Sequence, residues 1–142
     1  MNRKTIEALT LFTLFILVLT GLDYVVHGDL YNYGLQFNIE WANKYWILYA
    51  FTYQIICASM FLHTRSWKVL VFTEAFVLTC TQDLVYFMVW GGGHFPVGDW
   101  TWMPFYNLLG TWTTAMQIIL SCTAIATCLI GFKVSKKAFA NK

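Results

Sequence analysis

Residues 69–90 read VLVFTEAFVLTCTQDLVYFMVW, and this apolar stretch decides how the chain folds. Within it, only Glu74 and Asp83 can carry a charge. At a rise of about 1.5 Å per residue, a helix of this length crosses the ~30 Å hydrocarbon core of a bilayer. A carboxylate that faces lipid at this depth costs roughly 2.5–3.5 kcal/mol. We therefore predict one transmembrane helix that turns both acids towards protein.

The composition of the whole chain is that of a membrane protein. Of 142 residues, 58% are hydrophobic and only 11% are charged, whereas a soluble domain has about 25% charged residues. We find no internal repeat or polar linker, so we predict a single domain over residues 1–142. The cysteines all lie inside apolar runs, which is typical of small buried side chains rather than of a disulfide framework. They are Cys57, Cys80, Cys122 and Cys128.

Three further apolar runs complete the predicted architecture. The spans cover about residues 6–26, 46–62, 69–90 and 106–132. Short connections make neighbouring helices antiparallel. We therefore predict an all-α membrane protein, a four-helix antiparallel transmembrane bundle with aromatic-rich extracytoplasmic loops. Tryptophan and tyrosine in these loops are expected at the membrane–water interface.

The basic residues predict the orientation. Eight of the nine fall at the two termini or in the turn between spans two and three, and only Lys44 falls on the other side. Positive charge marks the cytoplasmic side, so we predict a multi-pass protein of the cell membrane with both termini cytoplasmic. The cations are scattered and lack an aromatic platform, which disfavours a nucleic-acid partner. The eight are Arg3, Lys4, Arg65, Lys68, Lys133, Lys136, Lys137 and Lys142.

Acidic and histidine residues gather in the predicted outer half, where they form a candidate metal site. Asp23 and His27 are four residues apart on one helical face, and His94 follows three glycines that let its loop fold back. Imidazole with carboxylate suits copper, zinc or iron. The simpler interpretation, which we favour, is a hydrated Asp23–His27 pair; a haem between the two histidines is a lesser alternative. Further oxygen donors for a metal would be Asp29, Asp83 and Asp99.

Polar side chains inside the predicted spans form a second candidate set. Such groups are costly in lipid and therefore mark either ties between helices or a functional path. We expect Asp83 to accept a hydrogen bond from Gln54, Trp112 or His27. We expect Glu74 to bond hydroxyl groups at similar depth, namely those of Ser59, Thr123 and Thr127. The full set of intramembrane polar residues is Gln54, Glu74, Gln82, Asp83 and Gln117.

Three functional hypotheses follow, in this order. The chain is small and has no nucleophile–base pair or phosphate-binding loop, which favours a non-catalytic subunit or binding module of a larger membrane assembly with a polar outer-face pocket. Its partners would be the lipid bilayer and another membrane protein or further copies of itself. The alternative is a metal-dependent membrane enzyme or redox protein with an outer-face Asp/His site. The third is a proton- or ion-conducting oligomer that uses Glu74 and Asp83.

Overall fold

The structure, a computed structural model, describes residues 3–32 and 39–140, with side chains for residues 3–26 and 47–133. Throughout these ranges the regular secondary structure is helical. The chain packs as two units, Met1–Glu74 and Ala75–Lys142. The helices are α1 (Arg3–Asn32), α2 (Ile39–Thr64), α3 (Trp67–Leu78), α4 (Thr81–Val85), a π-helical segment (Tyr86–Trp90), α5 (Pro104–Leu109) and α6 (Thr114–Ala140).

Among the residues that the structure describes, three stretches of helix are long and apolar enough to cross a membrane. They are Arg3–Val26, Ile47–Thr64 and Thr114–Lys133. A fourth is the pair Trp67–Leu78 and Thr81–Trp90, which qualifies only if its two bent parts are taken together. The described part of the chain thus contains three to four apolar helices, which is consistent with the multi-pass membrane protein that the composition predicts.

In the first unit, α1 packs against α2. The buried side of α1 is a stripe with a spacing of four residues, which keeps its members on one helical face. Tyr49 of α2 lies close enough to donate to the carbonyl oxygen of Leu19 at 3.4 Å, and it accepts a 2.9 Å bond from Tyr53. The stripe consists of Ala8, Phe12, Ile16 and Thr20.

The prediction of one continuous helix over residues 69–90 is wrong. Helix α3 ends at Leu78, α4 begins at Thr81, and the two parts of the run bend by 67°. Between them Cys80 has a left-handed backbone (φ 53°), a conformation that costs a residue with a side chain roughly 1–2 kcal/mol. The Thr79 hydroxyl donates to the Ala75 carbonyl at 2.7 Å, and the Cys80 amide turns back to Val77 at 2.9 Å. Asp83 therefore does not follow Glu74 along one ideal helix.

The run ends in a π-helical turn that leaves little room for a side chain at Gly91. The Gly91 amide donates to the Tyr86 carbonyl at 3.0 Å, five residues back. A Cβ atom on Gly91 would approach the Phe87 carbonyl oxygen to 3.0 Å and the Phe87 Cα to 3.1 Å, both on rigid backbone. The glycine therefore permits the tight end of the helix, after which the chain leaves the apolar segment.

The predicted fourth span, residues 106–132, is also interrupted. Residues 104–109 form the separate short helix α5, and Gly110 ends it with φ 75°. Helix α6 begins only at Thr114 and continues to Ala140. Positive φ is easy for glycine, so the helix stops there despite the apolar sequence on both sides. Helices α1 and α2 extend beyond the predicted spans 6–26 and 46–62.

Candidate functional site

The break between α3 and α4 is held by Gln117 of α6, which is completely buried. Its amide nitrogen donates to the carbonyl oxygens of Thr79 (2.7 Å) and Cys80 (3.1 Å) and lies 3.3 Å from the Ser121 hydroxyl. Its amide oxygen accepts a 2.9 Å bond from the Trp112 indole. A side chain thus replaces hydrogen bonds that a continuous helix would have made with its own backbone.

The loop before α6 is closed by Asp99. One carboxylate oxygen accepts from the Thr111 hydroxyl at 2.7 Å and from the Trp112 amide at 3.0 Å. The Trp100 amide donates to the Trp112 carbonyl at 2.7 Å, and the Trp100 indole donates to the Thr114 hydroxyl at 3.0 Å. These bonds fix the tryptophan that supports Gln117. Asp99, which we considered as a further oxygen donor for a metal, instead accepts hydrogen bonds that hold the two ends of this loop together.

An aromatic cluster lies beside the break in the second unit. Its buried centre is Trp100, Met103 and Trp112, with Trp100 at 0% exposure. Trp100 stacks on Trp102, with ring centroids 5.5 Å apart and planes inclined by 18°. The exposed Trp102 donates its indole hydrogen to Asp83 at 3.3 Å. The interfacial position expected for the loop aromatics stays a prediction, and the structure adds that Trp100 packs with Trp112 in a small buried core.

The donor predicted for Asp83 is thus corrected. Trp102 donates to Asp83, whereas Trp112 donates to Gln117 and Gln54 donates to Glu74. The side chain of His27, the third expected donor, lies outside the described residues. Trp102 reaches Asp83 from the loop between the π-helical segment and α5.

Glu74 has a partner that we did not predict. Gln54 of α2 donates its amide hydrogen to a Glu74 carboxylate oxygen at 3.2 Å. Two of the three hydroxyl groups expected there bond their own helices instead. Ser59 donates to the Ile55 carbonyl at 2.7 Å, and Thr127 donates to the Thr123 carbonyl at 2.8 Å. Such bonds to the carbonyl four residues back are common for hydroxyl side chains in helices and occupy the donor.

The predicted metal site is only partly covered by the described residues. The side chains of His27 and Asp29 lie outside them, and Asp23 lies half-buried on α1 in the first unit. His94 is exposed, with its ring 3.5 Å from the position of a Cβ atom on Gly92. Where side chains are described, no group of three or more His, Cys, Asp or Glu residues could hold a metal ion. The copper, zinc or iron site and the haem alternative stay predictions.

Sequence reasoning missed the roles of Trp102 and of the Thr79–Thr81 segment. A signal for the second was present, because three poor helix formers, Thr-Cys-Thr, follow one another in the middle of an otherwise good helical run. No comparable signal connects Trp102 to Asp83, since their contact depends on how the loop folds.

Among known protein families, curated proteins and solved structures, none matches this chain.

Proposed function

We propose that the chain is a non-catalytic subunit or binding module of a larger membrane assembly. The observation that carries the proposal is the pair of Gln54 and Glu74, joined at 3.2 Å on apolar helices. Gln54 is exposed and Glu74 is only half-buried in the chain by itself. A polar pair of this kind supports a protein neighbour rather than lipid on this face.

The depth of the pair makes lipid an unfavourable neighbour. Glu74 lies seven residues beyond the start of α3, and Gln54 lies ten residues before the end of α2. These separations correspond to about 10 and 15 Å along the helices, inside a hydrocarbon core ~30 Å thick. An acidic residue there costs about 2.5–3.5 kcal/mol when it faces lipid. A neighbouring helix that donates a hydrogen bond would remove much of this cost.

The same face of α2 carries small residues that would allow another helix to pack closely against it. Ala50, Gln54 and Ala58 are spaced four residues apart and are all exposed. Small residues at this spacing let helix backbones approach, and an amide between them adds a hydrogen bond. We infer that the occupant is a transmembrane helix of a different chain with a donating side chain. A symmetric second copy would bring two Glu74 carboxylates together, which like charge opposes.

For the bilayer arrangement we propose four antiparallel spans, with the bent segment as the third. Contacts inside the first unit support the antiparallel pairing of α1 and α2. His63, near the end of α2, lies 3.9 Å from Glu7 near the start of α1, whereas Tyr49, earlier in α2, contacts Leu19, later in α1. The eight-to-one division of cations supports cytoplasmic termini in a cell membrane.

Photo-crosslinking in native membranes tests the partner. A benzophenone amino acid at Phe51, an exposed aromatic position one turn from Gln54, should give one discrete adduct with another protein. Gln54→Leu in the same chain should lower the yield about tenfold, because a hydrogen bond between membrane helices contributes about 1–2 kcal/mol. Ile55→Leu, the exposed neighbour, is the matched control and should leave the yield unchanged.

Three outcomes would contradict the subunit proposal. The adduct could contain only lipid, it could be a dimer of the chain, or its yield could be the same with Gln54→Leu as without it. The dimer result would favour the homo-oligomer, and with it the third hypothesis of a proton- or ion-conducting assembly.

The metal-dependent alternative has less support from the contacts. Asp83 already accepts from Trp102, and Asp99 accepts from Thr111 and Trp112. A metal site would therefore depend on His27, His94 and Asp23 lying close enough together to bind one ion. Stoichiometric copper, zinc or iron in the purified protein, lost with His27→Ala, would favour this alternative over the subunit.

A further inference from the structure

The charge of Glu74 is not balanced by the side chain that binds it. Among the residues that the structure describes, its hydrogen-bond partner is the Gln54 amide, at 3.2 Å. An amide donates a hydrogen bond but carries no charge, so the negative charge of the carboxylate stays uncompensated. Within membrane spans, ionisable residues either pair with an opposite charge or line a water-filled cavity.

The chain itself has no cation at this depth. Its four predicted spans contain no lysine, arginine or histidine. The nearest basic residue on α3 is Lys68, six positions before Glu74 and about 9 Å away along the helix. On α2 it is His63, nine positions after Gln54 and about 14 Å away along the helix. A second copy of the chain would have the same spans and would bring no cation either.

The surface around the pair is apolar. Phe51 lies one turn before Gln54 on α2, Ile55 follows Gln54 directly, and Val71 lies one turn before Glu74 on α3; all three are exposed. Such a surface does not hold water inside a bilayer, because it offers water few hydrogen-bond partners. It does suit a lysine or an arginine, whose methylene stem packs on apolar groups while the charged head reaches an acceptor.

We propose that the occupant of this face is a transmembrane helix with a lysine or arginine inside its span, which forms an ion pair with Glu74. The inference rests on the subunit proposal and narrows the partner's donor to a cation. Charge complementarity selects this occupant, since neither the lipid hydrocarbon nor a second copy supplies a positive charge there. Association would remove both charges from lipid at once, which favours a basic partner over any other helix.

The test measures the yield of the protein adduct from benzophenone at Phe51 in native membranes, normalised to the amount of the chain. Glu74→Gln keeps an acceptor for Gln54 but removes the charge. The yield should therefore fall at least about tenfold, because losing one member of a desolvated charge pair is costly. Glu7→Gln, the same change at an acid near the start of α1, is the matched control and should leave the yield unchanged.

Mass spectrometry of the crosslinked peptide then locates the partner's span. We expect a lysine or arginine in that span, within about two helical turns of the crosslinked residue. Replacing it with methionine should lower the yield as much as Glu74→Gln does. The two changes together should lower it no further, because each removes the same interaction.

The outcomes separate this inference from the subunit proposal. Three results would each overturn the ion pair and leave the subunit proposal standing, with a neutral donor on the partner. They are an unchanged yield with Glu74→Gln while Gln54→Leu still lowers it, a partner span without a basic residue, and independent effects of the two changes. An adduct with lipid only, or with a second copy of the chain, would overturn both.

Discussion

Replacing Gln117 with leucine is expected to lower the free energy of unfolding by roughly 3–5 kcal/mol. Leucine preserves most of the volume but removes the donor to the Thr79 carbonyl and the acceptor for the Trp112 indole. Each buried group left without a partner costs about 1–3 kcal/mol. Chemical unfolding of the purified protein in mild detergent, followed by circular dichroism, measures the difference.

Gln54→Leu is the matched control for this prediction. Gln54 is exposed and makes one hydrogen bond, to Glu74, so its loss should cost only about 1 kcal/mol. Equal stability of the Gln117→Leu and Gln54→Leu proteins would mean that Gln117 does not hold the break in the third apolar run.

The second large effect is expected from Glu74→Lys. The side chain lies about 10 Å along α3 from its start, where insertion of lysine costs about 2.5–3.5 kcal/mol, and the Gln54 amide hydrogen would face a cation instead of a carboxylate. We expect the protein to accumulate in membranes at a level at least about tenfold lower than wild type, as measured by quantitative immunoblotting.

Glu74→Gln provides the comparison, because the amide oxygen can still accept from Gln54. This variant should accumulate normally and remain stable in detergent. Normal accumulation of the lysine variant would show that residue 74 reaches water or the inner interface and does not lie in the hydrocarbon core.

The long apolar helices could be predicted because burial in lipid depends on composition alone. A run without charge must be helical, since only a helix satisfies its own backbone in hydrocarbon. The break at Thr79–Thr81 could not be predicted from the composition of the run, because it depends on hydrogen bonds from Gln117. That residue lies almost forty positions later and stabilises the break only after α6 has packed against α4.

In the candidate site, the polar residues could likewise be found from the sequence, whereas their hydrogen-bond partners depend on the tertiary structure. The sequence predicts five intramembrane polar residues, because each interrupts an apolar run; they are Gln54, Glu74, Gln82, Asp83 and Gln117. Their partners were not identified. We estimated the depth of Asp83 from an ideal straight helix, whereas the run is bent by 67°. Its partner Trp102 comes from a loop whose path no sequence periodicity describes.

Whether the bent segment crosses the membrane is the central question, and one labelling experiment answers it most directly. Single cysteines are placed at Asn2, at Gly98 and at Asn141 in a chain whose four native cysteines are replaced, and intact cells are treated with a membrane-impermeant thiol reagent. If the segment is a span, four crossings leave Asn2 and Asn141 cytoplasmic and protected, while Gly98 reacts. If it is a re-entrant loop, three crossings place the termini on opposite sides: Gly98 and Asn2 would be protected and Asn141 would react, which would contradict the four-span account.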